Sequence, residues 1–86
     1  MVDHTKRSDE LLSRVDQATH SAAERAYREK GESFGVYVNM ETGDVIMQDA
    51  KAAKPKGFEL DCIAQYWSEK TVQVRYSGAR SEWFNF

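Results

Sequence analysis

Apolar residues recur along this chain at two different periods, and the change of period separates a helical N-terminal part from a strand-rich remainder. Leu11, Val15, Ala18, Ala22 and Ala26 follow one another at three- and four-residue steps, with Leu12, Ala23 and Tyr27 alongside. That spacing predicts one helix over 8–30 with a single apolar face. Ser8 is placed to cap it. Asp9 and Glu10 suit the positive end of its dipole, and Arg28 and Lys30 the negative end. Gly31 predicts the stop, through a left-handed residue. The apolar face changes from large residues to alanines along its length. Alanine permits close approach, so the helix is expected to lie flat on a sheet. Residues 1–7 read as a flexible polar arm, and 8–86 as a single α+β domain.

In SFGVYVNMETGDVIMQD two β-rich runs flank ETGD, the pattern of a hairpin whose three-residue loop carries a glycine. Pairing Met40 with Asp44 sets Val38 opposite Ile46 and Tyr37 opposite Met47. Phe34, Val36, Val38 and Ile46 then share one face, and Tyr37, Val45 and Met47 the other. KAAKPKG, residues 51–57, reads as a linker broken by Pro55 and Gly57.

FELDCIAQYWSEK supports two readings. As a helix it gathers Leu60, Ile63, Ala64 and Trp67 on one stripe, and this separates apolar from polar better. As a strand it puts Leu60, Cys62, Ala64 and Tyr66 on one face, gives the sheet five strands and lets Trp67 join Trp83 outside. The helix is the expectation. TVQVRYSG alternates, with Val72, Val74 and Tyr76 on one side and Thr71, Gln73 and Arg75 on the other. SEWFNF is expected as a final strand, Phe84 and Phe86 entering the core under the long helix and Trp83 pointing away. The order is then α-β-β-α-β-β: a long N-terminal helix packed on an antiparallel sheet of about four strands.

Composition narrows the function. At 86 residues, 41% hydrophobic and 12% aromatic, the chain has the makings of one folded domain. A domain this small buries only about 60% of its unfolded surface, so each large side chain matters. A net charge of -2 is too mild for a polyanion imitating DNA and too acidic for a typical nucleic-acid binder. Residues 51–86 are nevertheless net basic. Lys51, Lys54, Lys56 and Arg75, with aromatics able to stack on bases, define the alternative reading, a nucleic-acid accessory protein. Against it, the aromatic signature of RNA-recognition strands is missing, and acidic residues alternate with the basic ones. Cys62 is the one cysteine, which fits a reducing compartment. MVDHTKRSDE lacks the apolar core of a signal peptide, and no run approaches the ~18 apolar residues of a membrane helix. A soluble, cytoplasmic protein is expected.

Little in the chain suggests chemistry. Cys62 has no CxxC partner, and His4 and His20 lie far from it in sequence, so a Cys–His nucleophile pair is the weakest of three functional readings. No metal-ligand spacing occurs, Glu59 and Asp61 stand two residues apart, and no cofactor is expected. The function expected is a small non-enzymatic protein-binding or regulatory module. Its partner is another protein or a second copy of itself, and its class includes phage- or plasmid-type inhibitors of host machinery. Tyr37, Met47 and Trp83 are the expected anchors on the far face of the sheet, with Arg75 and Arg80 at the rim.

Overall fold

The computed structural model describes residues 4–78 and 80–86, with side chains from Glu10 onward. It shows one helix on a five-stranded antiparallel sheet: α1 (His4–Arg28), β1 (Ser33–Val38), β2 (Val45–Asp49), β3 (Glu59–Ser68), β4 (Thr71–Tyr76) and β5 (Ser81–Asn85). The strands lie in the order β2-β1-β3-β4-β5. The α+β class and the long helix on an antiparallel sheet are as expected from the sequence.

The helix begins at His4, so residues 4–7 continue it rather than forming an arm, and Ser8 lies inside it rather than capping it; residues 1–3 fall outside the described residues. It ends at Arg28 without a left-handed Gly31, because the Glu32 N–H closes a turn on the Glu29 carbonyl at 2.9 Å. Its alanine face does what the spacing predicts. Ala22, Ala23 and Ala26 are fully buried against Phe34, Val36, Cys62, Ala64, Val72 and Val74. Leu12 is the exception and stays exposed.

The expected helix over 60–70 is instead β3, the middle strand. Cys62, Ala64 and Tyr66 pair across the sheet with Tyr76, Val74 and Val72. On its other side β3 pairs with β1, Val36 meeting Cys62 and Phe34 meeting Ala64. A helix here would leave the backbone groups of β1 and β4 unpaired in the interior, which costs more than the local preference gains. Leu60, Ile63, Ala64 and Trp67 look like one helical stripe because a central strand with apolar residues on both faces produces the same spacing.

The hairpin register differs by one residue from the expected one. Val38 pairs with Val45, Tyr37 with Ile46 and Val36 with Met47. The cause is Asn39. Its Oδ1 accepts the N–H groups of Glu41 (2.9 Å) and Thr42 (3.2 Å), which starts the turn early. Asn39 and Asp44 then close a four-residue loop whose last member, Gly43, takes φ 77°. A shift of one residue exchanges the faces of a strand. Val45 and Met47 therefore pack against the core under α1, and Ile46 joins Tyr37 on the far face.

β2 and β3 both run antiparallel to β1, so they are parallel to each other. The connection between them, residues 50–58, must return the length of the sheet across β1. Gln48 projects from the face opposite α1, and its Nε2 donates to the Ala53 carbonyl at 2.9 Å. The crossover thus lies on the far face, over β2 and β1. Tyr37, which also projects there, is only 5% exposed. The far face is divided: a covered half over β2 and β1, and an open half over β3, β4 and β5.

Candidate functional site: the open half of the sheet

On β3, β4 and β5 alternation sends Gln65, Gln73 and Trp83 to the far side in one cross-strand row, and Ile63, Arg75 and Ser81 in the next. Trp67 follows where the β3–β4 register shifts, between Tyr66 and Ser68. Its ring meets that of Trp83 edge to face, with centroids 5.4 Å apart and planes at 78°. Both remain open to solvent, Trp67 at 60% and Trp83 at 51% exposure. Edge-to-face packing fixes the two rings relative to one another without burying them, so a firm apolar ridge stands beside an amide and guanidinium surface.

The structure sorts the expected anchors. Trp83 points away from the helix as the sequence implies. Arg75 is exposed on the same face, two residues along β4 from Gln73. Tyr37 is on this face but under the crossover, and Met47 is on the opposite face in the core; neither belongs to the open surface. Arg80 turns away from it, with its guanidinium 4.6 Å from the Tyr76 ring centroid and 3.9 Å from Glu82. Trp67 is the residue that the helical reading left out. The strand alternative pointed to it. Of the terminal aromatics, Phe84 packs against the core, edge to face with His20, while Phe86 stacks on Tyr27 and stays 39% exposed.

The lysines of the alternative reading lie on the crossover. Lys51 is 3.5 Å from Glu32, and Lys54 is 4.0 Å from Glu59. These exposed pairs add little stability, but they place an acid beside Lys51 and Lys54; Lys56 lies on the same crossover. Arg75 is on β4, apart from the crossover.

A second, polar cleft of about 400 Å³ opens between α1 and the β4–β5 edge, lined by Thr19, His20, Asp61, Tyr76, Arg80 and Glu82, among others. Asp61 is the extra residue of a bulge, where β1 passes from Val36–Cys62 to Tyr37–Leu60. Its Oδ2 is buried with no hydrogen-bond partner among the described residues. Burial raises its carboxyl above the usual range, with Arg80 pulling the other way and Asp16 adding to the rise. Burial likewise pushes the Tyr76 hydroxyl up to about 12. Cys62 is fully buried with its Sγ 3.6 Å from Thr19 Oγ1, and burial raises its thiol to about 11. Such a thiol is neither ionised nor reachable at neutral pH.

Among the described residues no group of three or more His, Cys, Asp and Glu side chains could hold a metal, and no helix is long and apolar enough to cross a membrane. Comparison with models of protein families, with curated proteins and with solved structures finds no match.

Proposed function

We propose that this chain is a non-enzymatic protein-binding module of the reducing cytoplasm that docks through the open half of its sheet. The observation that carries the reading is the Trp67–Trp83 pair, held edge to face yet more than half exposed. Tryptophan and arginine are the residues that most often dominate binding energy, and a rigid aromatic pair loses little entropy on docking. Arg75, Gln73 and Gln65 supply polar contacts around it. The buried, un-ionised thiol of Cys62 counts against the reading as a thiol enzyme.

The test compares the full chain with Trp67→Ala/Trp83→Ala as immobilised bait in cell extract. A specific protein should bind the native chain and lose at least about tenfold in affinity for the double variant. Circular dichroism should show the variant folded, since neither indole is in the core. Equal binding by both would remove the face from consideration. Binding of a labelled single-stranded oligonucleotide that weakens steeply with salt would favour the nucleic-acid alternative.

A further inference from the structure

The two edges of the sheet differ. β2 ends at Asp49, whose carboxylate accepts the Lys51 N–H at 2.8 Å and is thereby held below its usual pKa. Charges of this kind discourage another strand from adding. β5, SEWFN, also carries one acid, Glu82; the difference is that the outward Asp49 carbonyl of β2 is already taken by the Ala52 N–H at 3.0 Å.

The hydrogen bonds of β5 fix which of its backbone groups are free. The Tyr76 N–H donates to the Arg80 carbonyl and the Phe86 N–H to the Lys70 carbonyl, each at 2.7 Å. With the observed register, Arg80, Glu82, Phe84 and Phe86 turn their main-chain groups toward β4. Ser81, Trp83 and Asn85 turn theirs outward, where among the described residues no strand meets them. The helix meets β5 on the core face, His20 edge to face with Phe84, while the outward main-chain groups of β5 lie in the plane of the sheet.

We infer that β5 is a self-pairing edge, joining a second copy of the chain antiparallel to itself about Trp83. This rests on the reading above and extends that face across a second copy joined at its edge. Only registers that set outward residues against outward residues can form main-chain bonds. Centring on Trp83 pairs Ser81 with the second copy's Asn85, in both directions, and uses all three outward residues for about six hydrogen bonds. Centring on Glu82 sets two carboxylates directly opposite one another, a destabilising like-charge pair. Centring on Phe84 leaves one outward residue of each copy unused. The favoured register places the two Trp83 rings side by side on the far face, each already braced by its own Trp67. The two open halves then merge into one continuous surface on a ten-stranded sheet.

Light scattering over a concentration range tests this with the full chain. The expected result is a reversible dimer. Ser81→Pro removes an outward N–H and leaves the ladder to β4 and both indoles in place, and it should weaken the dimer at least about tenfold. Register is read independently by oxidising Ser81→Cys and Asn85→Cys variants, since residues paired in a ladder lie within disulfide reach. A mixture should give a cross-linked heterodimer, and neither variant alone should cross-link. A monomer at every concentration overturns the inference, as does a dimer indifferent to Ser81→Pro or a Ser81→Cys chain that cross-links to itself. If a foreign protein still binds a strictly monomeric chain through Trp67 and Trp83, the pairing is wrong and the binding face stands.

Discussion

Gly35 sits beneath the ring of Tyr37 on the covered half of the sheet. A Cβ built there would lie 2.8 Å from Tyr37 Cε2 and 3.1 Å from Cζ, closer than carbon atoms tolerate. Tyr37 is 5% exposed under the crossover, so its ring has little room to yield. Gly35→Ala should therefore cost about 1–3 kcal/mol through overpacking, despite alanine's lower backbone entropy cost. In a domain this small, thermal unfolding should show a drop of about 4–8 °C per kcal/mol. An unchanged midpoint would mean that the ring moves freely. Cys62 gives a second residue-level expectation. Native protein at pH 8 should react with a thiol reagent only as fast as it opens, and denatured protein at once. Rapid native labelling would revive the thiol-enzyme reading. The place of Cys62 beside Ala64 on a buried face follows from the strand alternative for 60–70 and not from the expected helix, whose apolar stripe leaves Cys62 out. The burial of Tyr37 was not legible, because its cover comes from a connection whose path depends on strand order.

Among the elements, α1 and β4 were the most legible, each having one period and one partner face. β3 was misread for a physical reason. A strand buried between two others has apolar residues on both faces, and over ten residues that pattern imitates a helical stripe. The β1–β2 register was displaced by one hydrogen-bonding side chain, Asn39, whose effect exceeds what a Gly-centred turn rule takes into account. That displacement moved Met47 from a supposed surface to the core. The crossover over 50–58 carries a prediction at this scale. Its hold on the sheet includes the Gln48–Ala53 hydrogen bond, and Gln48→Ala should cost about 0.5–1.5 kcal/mol. Hydrogen exchange should locate the loss. Amides of 50–58 and of β1 beneath them should exchange faster, while β4 and β5 keep their protection. Uniformly faster exchange would show that the crossover unfolds only with the whole domain.

At the scale of the molecule the sheet divides its work. One face and the covered half of the other hold the buried side chains, and the open half carries the exposed Trp67 and Trp83. The sequence sends Trp83 to the far face but sets beside it Tyr37, Met47 and Arg80, of which the first is covered, the second lies in the core and the third turns away, because membership follows from register and topology. Among the described residues Asp61, at the bulge that re-aims β3, keeps a buried carboxyl oxygen without a hydrogen-bond partner. Its carboxyl is raised by burial, so the native state keeps that proton to higher pH than the unfolded chain does. The sign follows: the Asp61 contribution to stability is intact below the usual carboxylate value of 3.8. It falls as pH rises through the elevated native value, and above that stays constant. Asp61→Asn removes this titration. The variant should unfold at a higher temperature than the native chain at pH 7, and the two midpoints should converge near pH 3. The other carboxylates titrate in both proteins and cancel in the difference. A variant less stable at pH 7, with a deficit that shrinks on acidification, would reverse the assignment. Attraction from Arg80 would then outweigh burial, and the cleft beside α1 would be held together by that pair.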